Sequence, residues 1–116
     1  MVLAGCYQMI LKRDTATLQL AVKDTTVTGD LRYDWYERDG NTGTLNGVLR
    51  NDRIYADYTF QSEGTTSVRE VIFKIENGTL LQGFGNLKEE KGKVIFQEPD
   101  NLQFQTANPF FKIACR

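Results

Sequence analysis

The sequence predicts an all-β fold, an up-and-down antiparallel β-barrel of about eight strands. Three observations predict it. Apolar and polar residues alternate with a period of two along most of the chain, and no stretch repeats every 3.6 residues. Turn-forming pairs such as Lys23-Asp24, Asp39-Gly40, Asn51-Asp52 and Asn77-Gly78 divide the alternating runs at about the 8–12-residue spacing of sandwiches and barrels. The links are short, which favours a meander, and closing a meander removes the open edges that would template aggregation.

The stretch Ile54–Ile75 organises the rest. Two runs rich in aromatic and β-branched residues flank Ser62–Ser67, which contains Gly64, and this reads as a hairpin. Ile54, Ala56, Tyr58 and Phe60 share one face of the first run. Val71, Phe73 and Ile75 share a face of the second, and Arg69 falls on the same row. A lone hairpin cannot bury such a face, so neighbouring strands must wrap round it.

In chain order, Gly5–Leu11 is the first strand. Thr15–Val22 follows, with Ala16, Leu18, Leu20 and Val22 facing one way. Thr26–Tyr36 places Val27, Gly29, Leu31, Tyr33 and Trp35 inward and Asp30, Arg32 and Asp34 outward. After the loop Glu37–Thr42, the run Gly43–Arg50 turns Gly43, Leu45, Gly47 and Leu49 to one side. Asn77-Gly78 is the strongest hairpin signal in the chain, because both residues tolerate the positive φ of a type I′ turn. Thr79–Leu87 is the next strand, and its periodicity leaves open whether Leu80, Gln82 and Phe84 or Leu81, Gly83 and Gly85 face in. Glu89–Gly92 reads as a charged turn and Lys93–Gln97 as a strand. Pro99–Asn101 breaks the pattern with room for one helical turn, and Phe110–Cys115 is the last strand. Closure would make the first and last strands neighbours and bring Cys6 to Cys115 as a disulfide. The competing readings are two buried free thiols and lipidation of Cys6, which would exclude the bridge.

At 116 residues the chain is expected to be a single domain over 1–116 with a core large enough to need no staples. A net charge of −1 and the lack of a dense basic cluster argue against a nucleic-acid partner. No run of about 18 apolar residues is present, so no membrane span is expected. Histidine is absent, which removes Ser-His-Asp and Cys-His nucleophile systems and histidine metal sites. Asp30, Asp34 and Asp57 lie on outward faces as solvated charges. An enzyme is therefore the least expected reading; no cofactor and no metal are expected, and the chain reads as a monomer. Leu3-Ala4-Gly5-Cys6 fits a lipobox, yet only five residues precede the cysteine, without the apolar segment of about 7–15 residues that a signal peptide needs. Either the match is chance or residues 1–4 are the remnant of a leader, with a lipid anchor upstream or at Cys6.

The chain resembles small bacterial cell-envelope proteins, many of them lipoproteins of no established activity. The resemblance is carried by Gly5-Cys6-Tyr7, Thr42–Gly47, Ala56–Gly64, Ser67–Val71 and Gly83-Phe84-Gly85. It implies an exported protein, periplasmic or outer-membrane-associated. A looser resemblance is to lipocalin and calycin barrels. These open with Gly-x-Trp, where this chain has Tyr7, and carry a basic residue near the end of the last strand, where Lys112 or Arg116 corresponds.

The candidate site starts from Arg69, Tyr58 and Glu63 at the hairpin tip, with Gln82 joining if it points in. One reading is a polar group at a barrel mouth that orients a ligand's carboxylate or amide. The other is an arginine buried and paired with a carboxylate or with loop carbonyls, closing the barrel end. Gly29, Gly43 and Gly47, beside Ala56, either leave a cavity among Tyr33, Trp35, Tyr58 and Phe73 or let the strands coil. Trp35 ends the inward row of its strand at the same barrel end as Arg69. The expected function is a non-catalytic envelope barrel binding a small apolar or amphiphilic ligand. The alternative is a structural or protein-interaction module of the envelope with a filled interior; a cavity of about 300 Å³ or more would favour the ligand.

Overall fold

The computed structural model describes residues 3–37, 40–62 and 64–115. Eleven strands form: β1 (Gly5–Leu11), β2 (Asp14–Lys23), β3 (Thr26–Asp34), β4 (Asn41–Arg50), β5 (Arg53–Ser62), β6 (Thr65–Glu76), β7 (Thr79–Phe84), β8 (Leu87–Glu90), β9 (Lys93–Phe96), β10 (Gln103–Phe104) and β11 (Phe111–Ile113). The described residues contain no helix, so the all-β prediction stands and the helical turn at Pro99–Asn101 does not form.

The closed barrel of about eight strands does not form. The sheet is open, in the order β10-β7-β6-β5-β4-β3-β2-β1-β11, with β9 attached to β6 and β8 to β9. From β1 to β7 the expected antiparallel meander holds. It fails afterwards for a local reason. The chain leaves the sheet at Gly85-Asn86, so the single strand expected over Thr79–Leu87 becomes β7 and β8. The twelve-residue β6 meets the shorter β7 only over Phe73–Glu76. β9 then takes part of the remaining edge, running parallel to β6 at Val68 and Arg69; edge groups left unpaired would be costly and adhesive. The last segment returns to the start of the chain, where β11 pairs with β1, Cys6 opposite Ile113. Between β7 and β11 there is one bridge, Leu80 to Phe110, with backbone hydrogen bonds of 2.9 and 2.8 Å.

The inward rows make one apolar core. Leu18, Val27, Leu31, Ile54, Phe73 and Leu80 have no exposed surface there, and each such side chain contributes roughly 1.5–3 kcal/mol through burial. Phe73 meets Phe110 edge-on at 5.4 Å between ring centroids. A second, outer cluster lies on the other face of β6 and β7, where Ile72, Leu81 and Phe96 are buried. Gly83 keeps that layer thin: a methyl group there would sit 3.0 Å from Leu102 and 3.1 Å from Phe104.

Gly47 settles what the inward glycines do. A Cβ at this position would lie 2.0 Å from the Tyr55 carbonyl oxygen and 2.5 Å from the Ala56 Cα. The missing side chain lets β5 coil tightly against β4 and leaves no room for a ligand; Gly43 behaves alike, 2.1 Å from the Thr59 carbonyl oxygen. At the Asn77-Gly78 turn φ is 52° and 78°, the paired positive values of a type I′ turn. Other element ends shift slightly. β3 stops at Asp34, which leaves Trp35 just beyond it, and β11 is shorter than Phe110–Cys115. Ser62 already pairs with Thr65, so the tip of the central hairpin is shorter than Ser62–Ser67.

Cys6 and Cys115 are joined by a disulfide across 109 residues of sequence, which rules out free thiols in this state and fits an oxidising, exported compartment. Lys112, on β11, carries its ammonium 5.7 Å from the centre of the buried Tyr7 ring; Arg116 lies outside the described residues. No helix among the described residues is long and apolar enough to cross a membrane.

Candidate functional site

One end of the apolar core is not filled. A cavity of about 200 Å³ opens there, and it draws its walls from β1, β3, β4, β5, β6, β7 and the segment that leads into β11. Tyr58, Val71 and Phe110 form the floor and are almost wholly buried. Leu11 and Phe84 line it while staying exposed, which marks the mouth.

An aromatic panel makes one side. Trp35 stacks on Tyr33 at 5.1 Å and 15°, Tyr33 meets Tyr58 edge-on at 6.0 Å, and Tyr58 stacks on Phe60 at 4.9 Å. The period-two pleat explains the panel. Tyr33 and Trp35 are two apart at the end of β3, Tyr58 and Phe60 two apart on β5, and each pair therefore shares a face. Tyr58 donates its hydroxyl proton to the Leu31 carbonyl at 2.9 Å, which holds the ring against the floor.

Polar groups come from the other side. Arg69 sits opposite Tyr58 in the β5–β6 ladder and faces the cavity. Its Nε is buried and has no hydrogen-bond partner, and no described carboxylate pairs with it. The expectation of a buried arginine is corrected: the side chain is half-buried, and its charge is unmatched among the described residues. Glu63, the partner in the sequence-based constellation, lies outside the described residues. Gln82 faces the cavity, which decides the orientation the periodicity left open, and donates from Nε2 to the Tyr33 hydroxyl oxygen at 3.0 Å. Leu81 and Gly83 face the outer cluster instead and are buried there by Phe96, Leu102 and Phe104.

Burial raises the pKa of the tyrosines. Desolvation pushes Tyr33 upward, opposed by the Gln82 hydrogen bond and the Arg69 charge. Tyr58 is driven far up by desolvation, with a further push from Tyr33. Both rings are therefore neutral at physiological pH, able to donate a proton in a hydrogen bond but not to act as bases. Among the described residues, no group of three or more acidic or cysteine side chains could hold a metal ion.

The structure brings Trp35, Tyr33, Tyr58, Arg69 and Gln82 to one cavity, with Trp35 and Arg69 at the same end of the sheet. Sequence reading missed the amides Asn41, Gln105 and Asn108, which line it too. The last two come from an irregular segment without periodicity, and nothing in the sequence signals their inward position. Met9 and Phe60 were within reach, since both follow from the alternation of their strands.

Fold and site together define an all-β domain with an aromatic-walled cavity that carries one cation among its described lining residues. Comparisons with protein-family models, curated proteins and solved structures give no match, so the reading of the cavity rests on its own geometry.

Proposed function

We propose that this protein is a non-catalytic binding domain of the cell envelope that holds a small apolar or amphiphilic molecule in the cavity between Trp35 and Arg69. The observation that carries the reading is the cavity itself. Interiors pack to crystal-like density, yet here rings from two strands stand aside around about 200 Å³ of space. The space falls short of the roughly 300 Å³ that would by its size alone favour a ligand; its aromatic walls and the unmatched Arg69 charge support one, and the volume requires it to be small. The disulfide supports an exported location, periplasmic or at the outer membrane. The wall chemistry supplies no general base or nucleophile, which supports binding over catalysis.

Trp35 is the only tryptophan, so its fluorescence reports on the cavity directly. Alkanols and alkanoates of four to ten carbons should change it saturably. Val71→Phe, which extends the buried floor into the space, should abolish the response while the protein stays folded by circular dichroism. A flat titration over the whole series would leave the filled structural or protein-interaction module as the better account.

A further inference from the structure

The cavity carries a charge imbalance. Arg69 is the one charged side chain among the described residues that line it. Its Nε is sealed from solvent with no hydrogen-bond partner among the described residues, a condition that native proteins rarely leave unanswered, because a buried donor without a partner loses its water and gains nothing for it. The hydroxyl of Tyr33 lies close enough to feel the guanidinium charge. Its oxygen accepts from Gln82, which leaves its proton to donate. Two donors and one full positive charge thus meet in a space whose other described walls are rings, aliphatic side chains and the neutral amides Asn41, Gln82, Gln105 and Asn108.

We infer that the cavity takes a small monocarboxylate. This rests on the binding role proposed above and names its ligand class. A carboxylate presents two oxygens in a plane, matched to the adjacent N–H groups on one side of a guanidinium. A small turn of the half-buried side chain brings the sealed Nε proton to one oxygen; the Tyr33 hydroxyl donates to the same group. The apolar body lies along Trp35 and Phe60. A second charge on the ligand would have no counter-charge in the lining, which selects a monoanion. At roughly 30 Å³ for each water-sized group, a space of about 200 Å³ holds roughly seven non-hydrogen atoms, and the end of a longer chain reaches the mouth at Leu11 and Phe84.

The test compares octanoate with octanamide, equal in size and different in charge, by Trp35 fluorescence and calorimetry on the disulfide-bonded protein. Octanoate should bind at least about tenfold tighter, the factor expected of a hydrogen bond to a charged group. Arg69→Gln should erase that preference. Tyr33→Phe, which removes only the hydroxyl, should weaken octanoate by about three- to tenfold. Equal affinity of the wild-type protein for the two probes overturns the inference and leaves the binding role standing, as does a preference that survives in folded Arg69→Gln. No response to either probe overturns both. Should Arg69→Gln fail to fold, the wild-type comparison decides alone.

Discussion

The two thirds of the chain from β1 to β7 and the third that follows are built on different rules. In the first region the strands run six to twelve residues and each pairs with the next in sequence. In the second they run two to four residues. Only β8 and β9 pair with each other; β9, β10 and β11 take their partners from β6, β7 and β1. The first region makes the inner core by local pairing. The second adds what the meander lacks: cover for the outer face of β6 and β7, a partner for the free edge of β1, and the polar rim of the cavity at Gln105 and Asn108. A fold can thus be specified locally in its bulk and completed by pieces with little stability of their own.

The disulfide is where the two regions are fastened, and breaking it should have the largest effect. The chain-entropy account assigns a loop of 109 residues roughly 4–5 kcal/mol. Cys6→Ser with Cys115→Ser should lower the urea midpoint accordingly. Amides of β11 and Phe110 should lose exchange protection before those of β3 to β5. A midpoint equal to that of the parent would mean that the second region holds without the fastening.

Next in size is a paired comparison of cores. Phe73→Ala empties the inner core and should cost about 3–5 kcal/mol. Phe96→Ala removes the same side chain from the outer cluster, where fewer elements surround it and the site can collapse; its cost should fall at the low end of that range or below. Equal losses in thermal or urea unfolding would contradict the division into a primary and a dependent core.

These two positions also show how far the sequence could be read. Phe73 was legible because Val71, Phe73 and Ile75 alternate with polar neighbours, and the meander placed that row inward. Ile72 fell on the row opposite Val71 and Phe73, and the period left the row of Leu81 undecided; both are buried on the outer face, because a later segment comes back to cover them. Pairing between distant segments leaves no period in the chain, so neither the parallel β6–β9 contact nor the open sheet could be foreseen. The site divides in the same way. Tyr33, Trp35, Tyr58 and Arg69 lie on the meander and were legible by face; Gln82 lay on a strand whose inward row the period left open, and Gln105 and Asn108 gave no signal. Arg69 was found for its position and taken as more buried than it is, since a cation on a core row ordinarily sits buried beside a carboxylate.

The smallest effect is one of pH, and it probes the meander side of the cavity. Tyr33 and Tyr58 have pKa values raised in the folded state. Above about pH 10 the unfolded chain loses these protons while the folded one keeps them, so the unfolded state gains and stability falls as pH rises. Below that pH the contribution is complete and stability should not depend on either ring. Urea midpoints measured between pH 8 and 11 should be level at first and then decline, with the tyrosinate absorbance of these two rings appearing only as structure is lost. Tyr33→Phe should shallow the decline. A decline of the same steepness in that variant would place its origin elsewhere.

The pairing of β1 with β11 also fixes an order of events. β1 can bond to β2 as soon as both exist, but its other edge waits for a strand about a hundred residues later in synthesis. Until then the edge of Gly5–Leu11 stays open, with Ile10 and Leu11 beside it. Long-range closure of this kind is slow compared with hairpin formation. The nascent molecule therefore spends its early life as an unfinished sheet with a sticky margin, and whatever escorts it must shield its beginning until its end arrives.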